Sequence, residues 1–208
     1  MNVNTNVLKR FVIYMAILTF VMFTIWGFVR SFMDRPGGDY ETEVCDIRLK
    51  DKKYDQAIEA ANKALTKTPN HRGAVMCKAL VFISQKKYIE AENELTKLII
   101  FLEKNLDDDD KTGIGTLAAS YANRGIIKDR NKKYTEALKD YIKALGIDHE
   151  AVAGPGLGTI ILNYKFKSSS VRERALYLNE QLQLPEDERI LIIKELDEGQ
   201  VMHKPGKL

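Results

Sequence analysis

Only two cysteines and three histidines occur in the 208 residues, and their placing leaves little room for metal or nucleophile chemistry. Cys45 and Cys77 lack metal-ligand spacing. They read as small apolar packing residues, with a disulfide open to them only in an oxidising compartment. His71, His149 and His203 each stand alone near turns or in the tail, with no HExxH motif, and no GxSxG elbow offers a serine nucleophile. The stretch Gly154-Pro155-Gly156-Leu157-Gly158 fits no GxxxxGK[ST] phosphate loop and reads as a turn or helix start. Glu195 and Asp197 sit beside a lysine and other acids as on a solvated helix face. The expectation is a protein without catalysis, cofactor, metal or small-molecule substrate.

The body of the chain also lacks an excess of either charge. The formal net charge is +3, and setting aside Lys9, Arg10, Arg30 and Arg35 from the 32 basic residues and Asp34 from the 29 acidic ones leaves 28 of each. Nucleic-acid phosphates require a basic face, so a nucleic-acid partner is not expected.

Long apolar runs are missing except at one place. Phe11 to Val29 carries no charge over 19 residues. At ~1.5 Å per residue it reaches about 28 Å, close to the ~30 Å of a bilayer core. Lys9, Arg10 and Arg30 bracket it, and Tyr14 and Trp26 lie near its ends, where amphipathic rings favour the lipid–water boundary. The run exceeds a secretion signal's apolar stretch, and Trp26-Gly27-Phe28-Val29-Arg30 has no small-x-small cleavage pattern. The segment therefore reads as an uncleaved single-pass transmembrane helix after a tail at 1–10. Positive charge on its two flanks nearly balances. The short N-terminal tail favours a cytoplasmic N-terminus with the body exported, which in a bacterial inner membrane means the periplasm.

What is present beyond the anchor is a repeat. Lys52-Lys53-Tyr54 with Ala57, Lys86-Lys87-Tyr88 with Ala91, and Lys132-Lys133-Tyr134 with Ala137 are three copies of one phrase. The first two lie 34 residues apart, the period of a helix–turn–helix solenoid. Between the second and third the period stretches to 46, and the extra residues around 99–112 predict a lengthened second helix and a loop at Asp107-Asp108-Asp109-Asp110. That acidic run lacks the alternating ligands, glycine and late glutamate of a calcium loop, and reads as a solvated loop or helix cap.

Tyr54, Ala57, Ala64 and Pro69, with the weaker sets Tyr88, Ala91, Leu98, Glu103 and Tyr134, Ala137, Ala144, His149, resemble the tetratricopeptide repeat (TPR) family. Cys45, Ala79 and Gly125 take its small-residue position on the first helix of each hairpin. The resemblance covers residues 39–150. It implies an all-α solenoid of three hairpins after a linker at 30–38, with a degenerate repeat and capping helices at 151–198 and a tail at 199–208, of which 201–208 reads as untethered. Thr159–Tyr164 reads as the first helix of that degenerate unit. Ser170-Val171-Arg172-Glu173 has capping-box spacing and predicts a helix to about Gln183, and Pro185 followed by Glu186, Asp187 and Glu188 predicts another, closed by Gly199.

One TPR subgroup grips a carboxylate tail with lysine, asparagine and arginine on the concave face. The corresponding positions here are Thr42, Asp46 and Leu49, then Met76, Leu80 and Ile83, then Ala119, Ala122, Asn123 and Ile126, and only Asn123 matches. An acidic peptide tail is accordingly not expected. Met76, Leu80, Ile83, Ala122, Asn123 and Ile126 form the candidate protein-binding groove, apolar enough for a partner helix or an apolar peptide segment. The chain's own C-terminal helices could equally fill it. The expected function is a membrane-anchored interaction scaffold or accessory subunit. The alternatives are a constitutive structural subunit of a membrane complex and a chaperone-like periplasmic holder of unfolded clients.

Overall fold

The computed structural model describes residues 5–33, 36–150, 152, 170–193, 200, 202 and 203. It divides into two compact units, residues 1–37 and 38–208. The first contains a single helix, α1 (Thr5–Met33). Its described side chains are exposed throughout, and Thr5–Arg30 is long and apolar enough to cross a membrane, with a mean hydropathy of 2.2 over its most apolar stretch. The two threonines within its apolar run, Thr19 and Thr24, bond their hydroxyls inside the helix. Thr19 donates to the Met15 carbonyl at 2.7 Å and Thr24 to that of Val21 at 2.8 Å, as a helix in hydrocarbon requires. Arg30 lies over the Trp26 ring, 5.1 Å from its centroid, at the end where the apolar run stops.

The second unit is helical. Three antiparallel hairpins follow in order: α2 (Asp39–Lys50) with α3 (Tyr54–Lys67), α4 (Arg72–Ser84) with α5 (Tyr88–Asn105), and α6 (Lys111–Arg130) with α7 (Tyr134–Ile147). The first helices α2, α4 and α6 also pack side by side, forming one layer of the solenoid. A further helix, α8 (Val171–Gln183), lies against α7.

The repeated Lys-Lys-Tyr phrase is the turn inside each hairpin. Lys52, Lys86 and Lys132 adopt left-handed backbones with φ of 60°, 60° and 62°. In each case two bonds close the preceding helix. Lys53 N–H donates to Arg48 O and Lys52 N–H to Leu49 O, and the same pair recurs from Lys87 and Lys86, and from Lys133 and Lys132. This is the Schellman closure with lysine where glycine is usual. The tyrosine then opens the next helix, and Ala57, Ala91 and Ala137 are fully buried where the two helices approach.

Between hairpins the entries are capped by side chains. Gly38 opens α2 at φ 97°, tucked against the Ala64 carbonyl and the His71 ring. His71 caps α4: its Nδ1 accepts from Ala74 N–H at 3.2 Å, which leaves Nε2 to donate to Asp39 at 2.8 Å. Asp110 caps α6 by accepting from Gly113 N–H at 2.8 Å and also binds Arg72. The Arg72 hydrogen bond, with that of Gly113, holds the Asp110 carboxyl below the usual range. The last residue of the acidic run is thus a helix cap. The period extension is shared: α5 has 18 residues against 14 in α3, but α6 has 20 against 13 in α4. The sequence reading placed the extra length in the second helix and loop only. Thr112-Gly113-Ile114-Gly115 extends α6 because Asp110 starts it early and Leu117 and Ala118 anchor the added turns in the core.

Two apolar clusters result. A small one, Cys45, Ala57, Ala60, Ala61, Cys77 and Val81, fills the first hairpin and its junction with α4. A large one runs from Val75 through α5, α6 and α7 to Val171, Ala175 and Leu178 of α8. Cys45 and Cys77 are both fully buried and joined as a disulfide, tying α2 to α4. The packing reading of these cysteines therefore holds only in part, since their sulfurs are bonded to each other.

The C-terminal region departs from the sequence reading twice. Ser170 and Glu173 form the capping box of α8, but Pro185 starts only a 3-10 turn at Glu186–Glu188, and residues 189–193 are not helical. Their backbone groups are taken up by side chains instead. Gln181 accepts from Ile190 N–H at 2.7 Å, Tyr177 donates to Ile190 O at 2.5 Å, and Arg174 donates to Leu191 O at 2.9 Å. A helix there would forfeit these bonds. The segment 201–208, read as untethered, is held at Met202 and His203, and Gln200 just before it is bonded to Asp129 and Tyr141. Thr159–Tyr164 and the glycine-rich stretch from Gly154 lie outside the described residues.

Candidate functional site

The concave layer α2–α4–α6 carries the candidate groove. Met76, Leu80 and Ile83 of α4 and Ala122, Asn123 and Ile126 of α6 come together, and each is no more than 4 % exposed. Ala119 is also fully buried beside them. Thr42 is turned inward, its hydroxyl donating to Gly38 O at 2.9 Å, and Leu49 is half-buried against both clusters.

The chain's own tail reaches the groove at Asn123, through a residue that is not helical. Asn123 binds the backbone of His203 twice: its Nδ2 donates to the His203 carbonyl at 2.7 Å, and its Oδ1 accepts from the His203 N–H at 2.8 Å. Its Nδ2 also lies 3.6 Å from the Met76 sulfur. Met202 packs on the large cluster, and the His203 side chain is buried. Burial pushes the His203 imidazole down to about 4, so it is neutral at physiological pH.

A second polar junction lies on α6, further along. Asp129 receives Arg174 Nε and Nη2, both at 2.8 Å, the Tyr141 hydroxyl at 3.1 Å and Gln200 Nε2 at 3.0 Å. Gln200 also donates to the Tyr141 oxygen at 3.1 Å. Desolvation, followed by the Asp129 charge, raises the Tyr141 hydroxyl well above its ordinary value, which keeps it a donor. Asp129 thus joins α6, α7, α8 and the tail. Nearby, Asp140 of α7 accepts from Arg124 Nε and Nη2 and from Lys128, each at 2.8 Å, and fixes the α6–α7 pairing. These charges are matched in structural pairs, an arrangement that holds a shape.

Gln200, His203, Asp129 and Arg174 were not picked out by sequence reasoning. The one signal was Asn123 itself: an amide in a stripe of alanine and isoleucine requires a polar partner once buried.

No protein-family model matches the chain, and no curated protein matches it in sequence. Among solved structures, the first TPR of Spaghetti (RPAP3), bound to the HSP90 peptide SRMEEVD, aligns with a TM-score of 0.50 and 18% identity over 73% of this chain and 97% of that one. A TPR domain of OM64 from Arabidopsis aligns at 0.45 and 16% identity over 66% of this chain and 95% of the other. Three stacked hairpins with a common turn, small residues at each helix crossing and the likeness to the RPAP3 domain give the repeat body of this chain a TPR-like fold.

Proposed function

We propose that the protein is a membrane-anchored TPR scaffold or accessory subunit that binds partner proteins through the concave α4–α6 face. The observation that carries this reading is that the face already grips a polypeptide, through the two bonds from Asn123 to the backbone of His203. The peptide held by the RPAP3 domain supports the same use of the fold. The partner element is a peptide segment with apolar or neutral residues, bound without nucleic acid, metal or small-molecule cofactor. α1 supplies the anchor, by a length and composition that a signal sequence would share. The buried Cys45–Cys77 disulfide supports placing the repeats on the oxidising side, the periplasm of a bacterial inner membrane.

Two experiments test this. With an epitope after Leu208, protease added to intact spheroplasts should digest the repeats, and full protection would reject the exported placement. In detergent, a partner protein should co-purify with the wild-type chain and be lost from Asn123→Leu at unchanged circular dichroism. Absence of any partner from both would overturn the binding role. The closed state of the groove favours a second reading, a constitutive subunit of a membrane complex whose groove never exchanges. In that case the partner stays at fixed stoichiometry through washing and through Asn123→Leu.

A further inference from the structure

Among the described residues, the tail is held on the solenoid differently from α8. α8 is bound by side chains in the core, Val171, Ala175 and Leu178, and by the Arg174–Asp129 ion pair. The tail's polar attachment at Asn123 is instead to backbone. For one residue to offer its N–H and its C=O to the same amide, both must point the same way, which is the geometry of an extended strand. An asparagine so placed reads backbone and is indifferent to the side chain attached. Specificity then falls to the buried position of the His203 side chain, 6 % exposed, where burial keeps the ring uncharged.

The other attachment is equally separable. Asp129 keeps both Arg174 nitrogens and the Tyr141 hydroxyl when Gln200 leaves, so no buried charge is stranded. Asn123 would lose its two bonds to backbone and keep only the Met76 sulfur, and a second peptide backbone would restore them.

We propose that the tail residues Gln200, Met202 and His203 act as an internal ligand, and that the groove's exchangeable partner is an extended peptide of uncharged residues held by Asn123 through its backbone. The inference rests on the scaffold reading above and adds to it a closed state that a partner must open.

The test uses the full chain in detergent micelles and a fluorescein-labelled peptide of the chain's own sequence 199–208, GQVMHKPGKL. Two variants loosen the internal tail: His203→Asp, which puts a charge at that buried position, and Gln200→Ala, which removes the second attachment without adding one. Fluorescence anisotropy should show the peptide binding at least tenfold tighter to either variant than to the wild type. Adding Asn123→Leu should abolish that gain, and the peptide carrying the same His203→Asp change should bind at least tenfold more weakly. If His203→Asp does not fold, Gln200→Ala gives the same reading. Equal binding to wild type and variants, with circular dichroism and the Cys45–Cys77 bond intact, would show the tail to be a fixed part of the core and overturn the proposal. Concentration-dependent dimers of the wild type that both variants abolish would show tails exchanged between copies, and would overturn it as well. Failure here with a partner still co-purifying through Asn123 sinks this inference and leaves the scaffold reading standing.

Discussion

Arg174 holds Asp129 through two nitrogens, Nε and Nη2, each 2.8 Å from one carboxylate oxygen, with both side chains shut off from water. The pair joins the capping helix α8 to α6 across 45 residues of sequence. Arg174→Met would leave the Asp129 carboxylate buried with only two neutral donors. The expected loss is about 3–5 kcal/mol in urea unfolding, the scale for breaking a buried pair from one side. Arg174→Met combined with Asp129→Leu should recover much of it, because no lone charge remains. A single-variant loss under about 1 kcal/mol would mean that water reaches the site.

His203 should make tail docking sensitive to acid. Its imidazole is lowered from 6.5 to about 4 by burial, so the docked tail binds a proton less readily than the free one. The associated stability is complete above about 6.5 and declines as pH falls toward about 4, below which the loss levels off at roughly 3 kcal/mol. An NMR titration of the His203 ring should report the depressed value, and His203→Phe should flatten the acid limb of the stability profile. A ring titrating near 6.5 in the intact protein would refute the burial.

Reduction should weaken the first hairpin most. Its buried cluster is three alanines, the two cysteines and Val81, so the Cys45–Cys77 bond stands in for apolar volume. The cysteines are 32 residues apart, and closing a loop of that length stabilises by roughly 3–4 kcal/mol. Dithiothreitol should lower the melting temperature of the wild type, while the double variant Cys45→Ala, Cys77→Ala should melt low with or without reductant. A wild-type melt indifferent to reductant would count against the bond.

Two glycines should respond to alanine in opposite directions. At Gly125 a Cβ would lie 2.6 Å from two carbons of the Tyr141 ring, and that ring is fully buried. Gly125→Ala should cost about 1–3 kcal/mol by overpacking. At Gly146 in α7 nothing lies within 4 Å of the added carbon. Gly146→Ala should stabilise by about 0.5–1 kcal/mol through the chain entropy that glycine forfeits in a helix. Thermal melts of both variants decide the matter, and equal shifts would refute the packing argument at Gly125.

The hairpins were legible in the sequence because their determinants are local. Lys52, Lys86 and Lys132 stop a helix, the tyrosine two residues on starts one, and alanine at the crossing lets the pair close, all within one repeat. Ser170 and Glu173 likewise announce α8 from four residues. That Met76, Leu80, Ile83, Ala122, Asn123 and Ile126 are buried together was legible, since α4 and α6 present every third or fourth residue to one side. The tail's attachment to them was not. Asn123 and His203 are 80 residues apart, and no spacing rule links a helix face to a non-helical segment beyond a stretch whose period has decayed. Over residues 186–193 the helix expected after Pro185 is absent for the same reason: Tyr177, Gln181 and Arg174 offer that backbone partners that local propensity cannot anticipate.

By itself the sequence determined the apolar helix, the neutral body, the three hairpins and their order, because these follow from composition, periodicity and turn chemistry over neighbouring residues. The tertiary structure decided which long-range pairs close the solenoid: Cys45 with Cys77, Arg174 with Asp129, and Asn123 with the backbone of His203. The physical reason is that burial gives these polar and sulfur groups their partners, and burial is fixed only when segments distant in the chain meet in space.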